Sequence, residues 1–215
     1  RTGGITDGNA ATANVVSTSL TATAVTGADL DTTITTLTLA NVSGAGNIDI
    51  SDTAGGLTVT SATTSNGGIT LNATGGTLTV TAATAGTGGN MLFSGDDMIL
   101  GPTASSISGT GSITLQPNAA TTTVGIAGGA GTFALSTTDI GALAGNFSSI
   151  TIGRSDSSVA LTIGGNITFN DNVTLQGGSI ASSGTLTGTG AFVTFNALSG
   201  SITDVSNDTL SNISA

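Results

Sequence analysis

The chain has 215 residues, among them 34 Gly, 2 Pro, 3% aromatic and 7% charged residues, and a formal net charge of −10. All twelve acidic residues are Asp, set against Arg1 and Arg154 alone, so the field repels a polyanion and nucleic acid is excluded as a partner. Lys, His, Cys and Tyr are absent, which removes disulfides, thiolate metal sites and most general-base chemistry, and no apolar run approaches the roughly 20 residues of a membrane-spanning helix.

The first clear element is Thr36-Leu37-Thr38. In chain order follow Ile48-Asp49-Ile50, Leu57-Thr58-Val59, Ile69-Thr70-Leu71, Leu78-Thr79-Val80, Met91-Leu92-Phe93 and Ile113-Thr114-Leu115, divided by Gly- and Asn-rich turns. Alternation of period two marks strands with one buried face, and the turns supply positive-φ positions. Every second triplet reveals a longer period. Ile48, Ile69, Met91, Ile113, Phe133 and Ile150 are 21, 22, 22, 20 and 17 residues apart, and Leu37, Leu57, Leu78 and Met98 are 20, 21 and 20 apart.

Two interleaved series with one period describe a coil of about 20 residues carrying at least two strands. The fold expected is all-β, a right-handed parallel β-helix or β-solenoid, because strands this short are stable only when stacked on their equivalents. About ten coils at about 4.8 Å each would give a rod of about 45 to 50 Å. One inward ladder would comprise Ile48, Ile69, Met91, Ile113 and Phe133, and its neighbour Ile50, Leu71, Phe93, Leu115 and Leu135. Phe93, Phe133, Phe169 and Phe195 alternate as core residues. A β-sandwich is the alternative architecture, disfavoured by the short strands and by aromatics that are few and all Phe.

Further along, Ser136 to Gly145 has an N-cap and a weak helical pattern, but its length favours a loop or coil crossing. From Ile167 the apolar positions Val173, Ile180, Leu186, Val193 and Ile202 follow at 6 to 9 residues, read as the same coil with shorter turns. Residues 1–215 form one solenoid segment, expected to be an internal piece of a longer chain because neither end is charged or Pro-rich as a cap would be.

The triplet-and-turn pattern resembles the repeat regions of filamentous-haemagglutinin-like proteins, a group spanning two-partner secretion exoproteins, autotransporter passengers and giant bacterial surface adhesins. The most distinctive stretch is Thr138 to Ile163, TDIGALAGNFSSITIGRSDSSVALTI. The resemblance implies export to the cell surface, a role in adhesion, aggregation or biofilm, and no cofactor. Expected partners are further copies or continuation of the same fibre and a host or neighbouring cell surface, without membrane insertion. The resemblance assigns no binding residue.

Four groups of side chains are candidates for chemistry or binding. Asp96 and Asp97, beside Ser94 and Gly95, are the best oxygen-ligand pair for Ca2+, with an acidic surface loop as the plainer reading. Arg154 near Asp156 is the one internal cation beside a carboxylate, and reads as a turn-stabilising pair rather than a catalytic one. Paired Asp at 29/31 or 96/97 gives a glycosidase its carboxylates, but solvated turns explain them as well, and the chain is expected not to be an enzyme. The T-x-T pairs Thr36/Thr38, Thr58/Thr60 and Thr79/Thr81 should stack on one outward face. Such a hydroxyl array suits an ice- or mineral-binding surface, although Thr is also simply a good strand residue.

Overall fold

The computed structural model describes residues 3–10, 12–204 and 209–214, with side chains as far as Thr203; Arg1 lies outside the described residues. The chain is an all-β parallel solenoid of about nine turns with about 21 residues per turn, one turn fewer than the sequence period suggests. Each turn has three walls, here faces 1, 2 and 3, and long strands such as Ile69–Val80 and Met91–Leu100 bend round the corner from face 1 to face 2.

Face 1 is built on the ladder Ile48, Ile69, Met91, Ile113, Ile150, Val173 and Val193, each paired in parallel with the next. The second ladder runs Ile50, Leu71, Phe93, Leu115, Ile152, Leu175 and Phe195. All but Phe195 are essentially without solvent contact, so like packs on like along the axis. Face 2 aligns Leu57, Leu78 and Met98, and later Val124, Leu161, Ile180 and Ile202. Face 3 aligns Ala22, Ala40, Ala62 and Ala83 before Ile107. These alanines make room for the large side chains arriving from face 1, as close packing of a narrow interior demands.

Two expectations need correction. Phe133 and Leu135 are buried as expected but do not continue the face 1 ladders, which pass from Ile113 and Leu115 directly to Ile150 and Ile152. Phe133 pairs instead with Val124, and Leu135 with Ile126, in a separate sheet on face 2. The close apolar spacing from Ile167 does belong to the same coil, but not through shorter turns. Ile167, Val173 and Ile180 stand on faces 3, 1 and 2, and their partners Leu186, Val193 and Ile202 lie one ordinary turn further on.

The corner between faces 3 and 1 is a stack of glycines. A Cβ on Gly67 would lie 1.9 Å from the Gly46 carbonyl oxygen, and one on Gly89 would lie 2.0 Å from that of Gly67. At Gly67 and Gly89 contact between turns, rather than an unusual φ, therefore demands Gly. At the opposite end of face 1, the carboxylate of Asp52 is fully buried and accepts from Thr32 Oγ1 (2.9 Å), Ile34 N–H (2.8 Å) and Ala54 N–H (2.9 Å). It satisfies backbone donors where the chain turns the corner.

Within Ser136 to Gly145 lies one helical turn, Thr137–Gly141. Ser136 and Asp139 form a reciprocal capping box, enough to hold a helix too short to persist alone.

Candidate interaction surface

Side chains alternate inward and outward along every strand, so the same register that builds the core writes columns on the surface. On face 2, Thr36, Thr58 and Thr79 are direct parallel partners. Thr60 donates its N–H to the Leu37 carbonyl (2.9 Å) and Thr81 to that of Val59 (2.8 Å), which carries Thr38, Thr60 and Thr81 along in step. Thr38, Thr58 and Thr60 are exposed, and Thr36, Thr79 and Thr81 are half-buried. The next rung replaces Thr79 by Ile99, 52% exposed, and ends the array after three turns.

The T-x-T motif misses further columns elsewhere. Thr114, Thr151, Thr174 and Thr194 stack on face 1. Asn41, Thr63, Thr84 and Ser108 stack on face 3, where the hydroxyls of Thr84 and Ser108 are 3.2 Å apart. The signal was available: each of these threonines follows an inward Ile, Leu, Val or Ala. Short hydroxyl side chains thus line all three walls, as a β-branched residue suits an outward strand position.

Apart from buried Asp52, the charged side chains among the described residues fall into two sets. Toward the first turns, Asp29 and Asp49 are register partners on the outer side of face 1, with Asp31 two positions along and Asp7 nearby. Although Asp49 is exposed, lost hydration on the strand surface raises its carboxyl above the ordinary range, helped by repulsion from Asp29 and Asp31. The Asp31 carboxyl is raised by lost hydration and by Asp7 and Asp29. Asp7 is lowered, since it accepts from the Asn9 backbone and the Asn14 amide.

The second set surrounds residues 118–148. Asp97 accepts the Ala134 N–H (2.8 Å), Asp96 accepts from Asn118 Nδ2 (3.2 Å), and Asp171 accepts the N–H groups of Asn146 and Phe147. Asp96 is exposed and Asp97 is half-buried, and among the described residues no group of three or more potential ligands gathers to hold a metal ion. Arg154 does more than pair locally. Its guanidinium meets Asp156 twice at 2.8 Å and also reaches the carbonyl of Asn118 (3.1 Å) in the preceding turn. The Arg154 hydrogen bond holds the Asp156 carboxyl below its ordinary value.

A shallow groove of about 610 Å³ follows the glycine corner past Asn47, Asn66, Thr70, Asn90 and Ser112, and no titratable side chain lines it. The Asn47 amide accepts the Gly68 N–H and that of Asn90 the Ser112 N–H, both at 2.9 Å, so these asparagines are occupied in joining successive turns. A scan of protein-family models and searches of curated proteins and of solved structures return no match to this chain.

Proposed function

We propose that this chain is a structural segment of a secreted bacterial surface protein, a stiff rod that spaces or joins other parts of an extracellular fibre in attachment, aggregation or biofilm. The observation that carries the reading is the unbroken face 1 ladder from Ile48 to Val193, in which every strand is held by the strands before and after it. Such a wall resists local opening, because loosening one turn strips its neighbours of partners. The role is non-catalytic, and its partners are copies of the same fibre or a cell surface. Low charge and short outward side chains favour side-by-side packing of rods.

The test is to display the chain on cells and remove one turn in register, residues 48–68. A spacer should keep its fold and its attachment activity with a shorter reach. Loss of attachment after replacing outward threonines, with the fold and length unchanged, would overturn the spacer in favour of a recognition surface.

The in-register Thr36, Thr58 and Thr79 column supports a second reading, adsorption to ice or mineral. Thermal hysteresis abolished by Thr58→Tyr would establish it, whereas no hysteresis in the parent chain removes it.

A further inference from the structure

Between Met91 and Ile152, face 1 carries three successive strands, Met91–Leu100, Ser112–Pro117 and Ser149–Ile152. Over the same levels face 2 carries four. Above the second half of Met91–Leu100 lies Phe133–Leu135, then Val124–Ile126, then Ala160–Ile163. Spatial order is therefore the reverse of chain order for two strands, which are joined by only six residues, Ala127 to Thr132. This link folds back over the outside of the wall. A Cβ on Gly125 would lie 2.2 Å from the Gly129 carbonyl oxygen, and one on Gly131 would lie 2.1 Å from Gly125 N.

The seam below Phe133–Leu135 is unlike any other on this face. The wall divides there into two sheets, with no backbone ladder joining Phe133–Leu135 to Met91–Leu100. Two carboxylates stand in for the missing partners. Asp97 accepts the Ala134 N–H at 2.8 Å, and Asp139, held in the capping box, accepts the Leu100 N–H at 2.7 Å. Val124-Gly125-Ile126 and Phe133-Ala134-Leu135 are equivalent triplets, each burying its first and third residues.

We infer that Phe133–Leu135, with the helical turn Thr137–Gly141, is a removable wedge, and that Val124–Ile126 takes its seat on Met91–Leu100 when it leaves. Withdrawal equalises the strand count of faces 1 and 2 and gives the Leu100 edge the backbone partner it lacks. The device is a two-state element in which Asp97 and Asp139 are the latch and Phe133 and Leu135 the buried anchors.

Hydrogen exchange followed by mass spectrometry on the whole chain tests this, with Asp97→Ala/Asp139→Ala as the unlatched variant. Amides from Phe133 to Leu143 should exchange more than about tenfold faster in the variant, while Val124 to Ile126 stay protected. The Leu100 amide, deprived of its carboxylate acceptor, should also stay protected through its new backbone partner. Fast exchange at Leu100, joint loss at Val124 to Ile126, or unchanged protection from Phe133 to Leu143 would each overturn the wedge. Should the variant unfold throughout, the parent chain in rising denaturant decides: residues 133–143 must open before 124–126 and without them.

Discussion

The turns from Ala28 to Pro117 and the stretch 118–148 close the same wall by different means. In the first, the face 1 partners Ala28, Ile48, Ile69, Met91 and Ile113 repeat every 20 to 22 residues, and backbone ladders with like side chains above and below do the work. In the second, 37 residues separate Ile113 from its partner Ile150, and side chains replace backbone as the connecting groups. Asp97, Asp139, Asp171 and the Arg154–Asp156 pair all bind backbone or each other there. In a chain with 7% charged residues, much of the charge is thus committed where repetition fails. Repetition supplies hydrogen-bond partners automatically, and an interruption must supply them one at a time.

Core truncations should separate the two regions most strongly. Phe93→Ala, between Leu71 and Leu115 in the regular ladder, should cost about 3 to 5 kcal/mol and lower the midpoint of the whole denaturation curve. Phe133→Ala removes as large a buried group, yet its loss should appear first as local exchange from residue 133 onward. Equal global losses would erase the distinction. Gly89→Ala forces a Cβ against the Gly67 carbonyl and should cost about 1 to 3 kcal/mol, visible as a lowered Tm.

Buried carboxylates come next. Asp52→Ala strands the Ile34 N–H inside a regular turn, a loss of about 1 to 3 kcal/mol by chemical denaturation. The effect smallest in size concerns pH. Asp31 and Asp49 bind protons more tightly folded than unfolded, so stability should rise as pH falls through their raised values toward 3.8. Asp7 and Asp156 act oppositely, and their contribution is lost only as pH falls below 3.8 through their lowered values. Asp49→Asn should raise stability at neutral pH by no more than about 0.5 kcal/mol and flatten that rise, as denaturant midpoints at two pH values would report.

Much of the regular region was legible in residue order alone. Alternation marked Ile48, Ile69, Met91 and Ile113 as stacked and inward, and the period fixed their partners. The third wall was harder to see, because its inward residues Ala40, Ala62 and Ala83 carry little hydrophobic signal and are buried by geometry rather than by preference. The interruption was hidden for a different reason. Phe133 follows Ile113 by 20 residues, a spacing indistinguishable from one turn, and a local triplet does not declare which neighbour it will meet. The role of Asp97 depends on an amide 37 residues away, and no spacing rule reaches that contact. The threonine columns were partly visible, but searching for T-x-T favoured face 2 over the longer run on face 1.

The unequal strand count has a mechanical meaning. Four strands on one wall opposite three on another, at about 4.8 Å per strand, leave the two sides of the column different in height. A pull along such a column is carried by every turn, but only at the level of Phe133 does the unequal count add a bending moment, so that moment would bear on the Asp97 and Asp139 contacts.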